Sequence, residues 1–146
     1  PHEASELGKT FAAISPWVDY PFTPETIASS LSIAAANTES FAIYRNEKLA
    51  GALLLRRTWL RGPFLQFLGV LPAHQNAGIG SAALDWFEQD ARTAANRNIW
   101  VTASEFNTDA LRFYSRHGFK PVATLDNLIR DGIAEILLRK SLQLER

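Results

Sequence analysis

The chain has 146 residues, 47% hydrophobic and 21% charged, the size and balance of one soluble domain that can bury a core without staples. Its 15 basic and 15 acidic residues cancel, which removes the electrostatic case for non-specific binding to nucleic acid or to an anionic membrane. It has no cysteine, and His2, His74 and His117 are scattered, so disulfides, a thiolate site and a cysteine nucleophile are excluded and no metal is expected.

The first ten residues, PHEASELGKT, lack the basic-then-apolar pattern of a leader. No apolar run approaches the ~18 residues of a membrane span, so no membrane partner is expected and the cytoplasm is the expected location. Pro1 in place of a methionine is what a processed or trimmed start leaves. Leu7, Phe11 and Ile14 mark a helix over Ala4–Ile14 by their spacing. Pro16, Pro21 and Pro24 break the stretch Ser15–Thr26 into a loop rich in aromatics. Thr23 then caps a second helix, with Pro24 in its first position and Ile27, Leu31 and Ala34/Ala35 on its apolar face, ending near Asn37. Phe41–Arg45 and Leu49–Arg56, separated by Asn46-Glu47-Lys48, read as a β-hairpin. After the loop Thr58–Pro63 comes a buried strand, Phe64–Leu71.

The stretch Leu65–Gln89 carries the chemistry. A strand ends at Pro72, a polar turn follows, and Gly78-Ile79-Gly80 opens a helix over Gly78–Asn96 with Ile79, Ala83, Phe87, Ala91 and Ala94 on one face. A strand feeding a glycine-containing turn and a helix start is an anion site: glycine admits close approach, and the first helical N–H groups point outward with the positive end of the dipole. A Walker loop is excluded because Ser81-Ala82 supplies neither its lysine nor its following hydroxyl. Gly78, Gly80 and Ala83 fit the dinucleotide pattern G-x-G-x-x-A, but they lie mid-chain after a hairpin rather than in a first strand–helix turn.

Ile99–Ala103 is a strand, and Asn107 or Thr108 caps the next helix, which has Asp109 in its first turn, Arg116-His117 in its last and Gly118 just beyond. Phe119–Leu125 and Ile133–Leu142 are strands joined by a loop ending in Asp131-Gly132. The order α-α-β-β-β-α-β-α-β-β implies an α/β protein with a mixed sheet and helices on its faces. No repeat, low-complexity segment or linker divides it, so residues 1–146 are expected to form one domain.

Three blocks of this chain together resemble the GCN5-related N-acetyltransferase (GNAT) family. They are Leu68-Gly69-Val70-x-Pro72 with Gln75-x-x-Gly78-x-Gly80; Asn107-x-x-Ala110-x-x-x-Tyr114-x-x-x-Gly118-Phe119; and Asp131-Gly132-x-x-Glu135 with Leu137-Leu138-x-Lys140-x-Leu142. The resemblance spans roughly Phe41–Leu142. It implies a mostly antiparallel sheet splayed at a cofactor cleft, acetyl-CoA or a related acyl-CoA as donor, and acyl transfer to an amine in a ternary complex. It places the diphosphate on the turn N–H groups of Asn76, Ala77, Gly78, Ile79, Gly80 and Ser81, with Gln75 as a further cofactor-binding residue. It places the pantetheine along Leu68, Gly69 and Val70 and on Asn107. It puts Tyr114 where the family often has the acid that protonates the leaving thiolate, a task suited to a phenol of pKa ~10.

The departures are specific. Asn76 and Ala77 stand at turn positions that are often basic in relatives, and Thr102 stands where many relatives carry a glutamate base, leaving Glu105 as the nearest carboxylate. Trp17, Tyr20, Phe22 and Trp59 fall in loops that flank the acceptor in the family, which suggests an aromatic-lined pocket. The acceptor itself, a small-molecule amine or a peptide or protein amine, is not legible, because one scaffold serves many substrates. Dimerisation is common among relatives but has no signature here, and the family's usual first strand is not evident before Leu7. Two other readings stand beside this one: an acyl-CoA-binding domain without catalysis, favoured by Thr102, and a dinucleotide-binding α/β module.

Overall fold

A computed structural model describes residues 2–20, 22–32 and 36–143. In chain order the elements are α1 (His2–Ala12), α2 (Pro24–Ser32), β1 (Thr38–Arg45), β2 (Lys48–Arg56), β3 (Phe64–Val70), α3 (Ile79–Thr93), β4 (Asn98–Ser104), α4 (Thr108–Arg116), β5 (Lys120–Asp126) and β6 (Ala134–Ser141). Short 3₁₀ turns lie at Trp17–Asp19 and Pro72–His74. This is the expected α/β order.

Local chemistry accounts for the boundaries. The Thr23 hydroxyl accepts the Thr26 N–H at 3.1 Å and so caps α2, with Pro24 in the first helical position. Ala34 and Ala35, expected to continue that helix, lie outside the described residues, as does Pro21. α1 stops at Ala12, two residues before the expected Ile14, because Ala13 and Ile14 donate back three residues, to Thr10 and Phe11, in the tighter turn that precedes Pro16. α3 stops at Thr93 rather than Asn96, since Ala95 enters the left-handed region at φ 58°. In the first hairpin only Asn46 and Glu47 form the turn, at φ 50° and 66°, the type I′ geometry that follows strand twist.

The six strands lie in the order β1-β2-β3-β4-β6-β5, and only β3–β4 is parallel. Helices cover both faces. On one, Leu7, Phe11, Ile27 and Leu31 of α1 and α2 pack on Ala52, Leu54 and Phe67. On the other, Leu84, Phe87 and Tyr114 of α3 and α4 pack on Leu53, Leu65, Val101 and Leu138. β2 is therefore buried on both sides from Ala50 to Leu55, which explains why it reads as an unbroken apolar run. Each large side chain so buried contributes about 1.5–3 kcal/mol. Gly69 is required by this packing, because a Cβ there would lie 2.6 Å from the Phe11 ring.

One irregularity organises the rest. The β2–β3 register shifts between Leu54 and Leu55, leaving Gln66 without a partner. Such a bulge bends its strand. Beyond it β3 turns away from β4, and the two share only Phe64↔Trp100 and Leu65↔Val101.

Candidate active site at the splayed strands

The divergence of β3 from β4 opens a cleft of about 520 Å³. Leu68 of β3, Thr102 and Ser104 of β4, Asn107 and Tyr114 of α4, and Glu135 of β6 all line it. Trp17, Tyr20, Phe22 and Trp59 line it too, so the loop aromatics singled out from the sequence converge here.

The turn that follows the diverging end of β3 lies outside the cleft lining, with Ala77, Gly78 and Ile79 on a neighbouring groove shared with Phe41, Ile43 and Trp86, and it presents its backbone. Among the described residues no acceptor is found for the main-chain N–H groups of Asn76, Ala77, Gly78, Ile79, Gly80 and Ser81; the first paired one is Ala82, which bonds to the Gly78 carbonyl at 3.0 Å. Asn76, Ala77 and Gly78 are exposed. Gly78 sits at φ 78° as the residue before α3, with open space where a Cβ would be, so a side chain there would meet backbone strain rather than a clash. Two side chains of the turn are engaged elsewhere. Gln75 Nε2 donates to the Val70 carbonyl at 3.0 Å, bracing the turn against the end of β3. Ser81 Oγ lies 3.1 Å from His117 Nε2 at the end of α4. What remains for a ligand is a row of amide donors at the positive end of a helix, a site shaped for an anion.

The α4 candidates behave differently. Asn107 caps α4, its Oδ1 accepting the Ala110 N–H at 3.2 Å, and its amide N–H₂, on the cleft wall, has no partner among the described residues. Tyr114 is 8% exposed and packs against Phe113 and Phe119. Its hydroxyl has no hydrogen-bond partner among the described residues, and burial pushes its pKa up to about 12.

The structure does not bring Glu105 into the cleft. Glu105 is exposed just past the end of β4, its Oε1 accepts the Ala134 N–H at 3.2 Å, and it is absent from the lining. The carboxylate that faces the cleft is Glu135, on the neighbouring β6. Tyr20 donates to its Oε2 at 2.7 Å and Ser104 to its Oε1 at 3.1 Å, and the two hydroxyl oxygens also touch each other. All three residues are buried. The Tyr20 phenol is pushed up to about 12, first by burial and then by the adjacent Glu135 carboxylate, against an opposing pull from Ser104. Two members of this cluster carried a sequence signal: Tyr20, one of the loop aromatics, and Glu135, a charged residue inside an apolar strand after Asp131-Gly132.

A parallel pair opened by a bulge, with an anion-receiving turn after its diverging strand, defines the acyl-CoA N-acyltransferase fold. The acetyltransferase (GNAT) family model matches residues 8–119. The chain belongs to that family of acyl-CoA-dependent N-acyltransferases. Among solved structures it is similar to a GNAT-family protein from Desulfovibrio desulfuricans, with 21% identity, a TM-score of 0.78, and 97% of this chain and 93% of that one covered. It is also similar to the ribosomal-protein-S18-alanine N-acetyltransferase of Escherichia coli, with 18% identity, a TM-score of 0.77, and 99% and 90% covered. A third is a GNAT acetyltransferase from Elizabethkingia anophelis with acetyl-CoA bound, with 18% identity, a TM-score of 0.70, and 89% and 92% covered. No helix among the described residues is long and apolar enough to cross a membrane, and no three or more His, Cys, Asp or Glu side chains there gather to hold a metal ion.

Proposed function

We propose that the protein, acting as one domain, transfers an acetyl group from acetyl-CoA to a primary amine by direct attack while both are bound. The observation that carries this reading is the row of unpaired N–H groups from Asn76 to Ser81 in the turn after the diverging end of β3. A diphosphate fits those donors, and without a basic residue in the turn its binding rests on N–H groups and the helix dipole. The pantetheine follows Leu68, Gly69 and Val70, where the β3 edge beyond Leu65 has no strand partner, and takes a further bond from the Asn107 amide. A backbone N–H near Val70 stabilises the oxyanion.

In the transfer a nitrogen–carbon bond forms and the carbon–sulfur bond breaks. Sulfur takes the phenolic proton of Tyr114. An ammonium acceptor sheds two protons, of which one restores the phenol and one goes to a base. A phenol raised to about 12 keeps its proton at every physiological pH. With no cysteine in the chain, an acyl-thioester enzyme intermediate is not part of this scheme.

The test pairs binding with turnover. Acetyl-CoA, and not NAD, should raise the melting temperature, since a ligand of the native state stabilises it. An amine panel should then release free thiol from acetyl-CoA. A shift with NAD alone would remove the reading. A shift with acetyl-CoA and no thiol from any amine would favour the non-catalytic binding domain.

A further inference from the structure

The acceptor end of the cleft is apolar and carries one formal charge. Its walls include Trp17, Phe22, Trp59, Phe64, Phe67 and Leu128. Trp59, Leu128 and Ile129 remain substantially exposed at its edge, the kind of uncovered apolar surface that marks a binding site. Among the described residues Glu135 is the only charged one in the lining. It is 4% exposed, and among the described residues no Lys, Arg or His stands within ion-pair distance of it. Two neutral hydroxyls stabilise this carboxylate without neutralising it, and a buried charge without a counter-ion is costly.

We infer that the acceptor is a primary monoamine on an apolar body, aromatic for preference, with its ammonium seated at the Tyr20–Ser104–Glu135 cluster. This rests on the acetyl-transfer reading above. One carboxylate matches one ammonium. A polyamine or an aminoglycoside would bring further cations against walls that offer them no counter-charge. The rings suit an apolar or aromatic body, and their faces favour a nearby cation.

The cluster also accounts for the proton that the transfer must lose. The ammonium gives a proton to the Tyr20 or Ser104 oxygen as that hydroxyl passes its own to Glu135. The products are a neutral amine with a free lone pair and a neutral carboxylic acid, so the cleft holds no net charge at attack. After release, Glu135 returns the proton to water. Glu135, paired with Ser104 two residues beyond Thr102, thereby supplies from β6 the carboxylate that Thr102 does not supply on β4.

Calorimetric titration of phenethylamine, phenethyl alcohol and spermidine into the CoA-saturated protein tests this, run beside thiol release from acetyl-CoA. Phenethylamine should bind at least about tenfold more tightly than either of the others, the scale on which a matched polar group discriminates. Glu135→Gln should erase its advantage over the alcohol while leaving acetyl-CoA affinity unchanged. Equal binding of amine and alcohol by the wild type, or tighter binding of spermidine, would overturn the inference. If Glu135→Gln fails to fold, which loss of acetyl-CoA binding would reveal, the wild-type comparison of amine with alcohol decides alone. Glu135-dependent phenethylamine binding with no thiol release from any amine would instead sink the acetyl-transfer reading and leave the pocket assignment standing. Turnover of spermidine or a peptide amine without phenethylamine binding would do the reverse.

Discussion

The two ends of the site are built on different principles. At the end we propose for the acyl-CoA donor, the groups on offer are consecutive backbone N–H donors from Asn76 to Ser81, contained in one strand–turn–helix. At the end we propose for the amine, Tyr20, Ser104 and Glu135 come from a loop before α2, the end of β4 and the start of β6. The first end depends on side chains being small or absent, the second on particular side chains meeting. Substitutions should therefore separate them: changes at the turn should move acetyl-CoA binding, and changes at the cluster should move the amine.

The largest expected effect lies where the two ends meet. Tyr114→Phe should lower kcat by about a hundredfold to ten-thousandfold, the usual worth of a positioned acid, with little change in the KM for acetyl-CoA. A wild-type rate in steady-state assays would detach Tyr114 from the chemistry.

Next comes alkaline stability. The phenols of Tyr114 and Tyr20 are both raised to about 12 in the folded chain, against an ordinary value of 10.0. The unfolded chain ionises first, so stability is intact below pH 10 and falls as pH rises toward about 12. For buried Tyr114 the loss is on the order of 3 kcal/mol once both states are ionised. Melting temperature against pH reads it, and Tyr114→Phe and Tyr20→Phe should each flatten the curve, dividing the effect between the two ends.

Gly78→Val should destabilise the chain by about 1–2 kcal/mol through its left-handed backbone and weaken acetyl-CoA binding, with amine KM unchanged. Equal losses for both substrates would blur the division. The smallest and sharpest test is Asn107. Asn107→Ala should cost about 1 kcal/mol as a lost cap. Asn107→Asp should keep that cap yet raise the KM for acetyl-CoA, because the carboxylate cannot donate; a thermal melt and a KM measurement separate the two roles.

Element order was legible because hydrophobic period, caps and breakers act over a few residues. Thr23 caps its helix as read, Asn107 rather than Thr108 caps α4, and the hairpin read at Asn46-Glu47-Lys48 turns on Asn46 and Glu47 alone, with Lys48 already in β2. Glu105 was singled out by sequence proximity to Thr102, yet its carboxylate bonds the Ala134 N–H outside the cleft lining. Nothing local could have pointed from Thr102 to Glu135, since β6 reaches β4 only by leaving the chain's neighbourhood and returning antiparallel. The engagement of Gln75 with the Val70 carbonyl was equally hidden, because it depends on how the turn folds back.

By itself the sequence determined the strand–turn–helix that opens at Gly78, since glycine tolerance, capping and helix polarity are properties of neighbouring residues. Only the tertiary structure decided that a bulge at Gln66 pulls β3 from β4, and that Tyr20, Ser104 and Glu135 close on one point in the gap. Those outcomes depend on strand register and on packing between residues far apart in the chain, which local preferences do not encode.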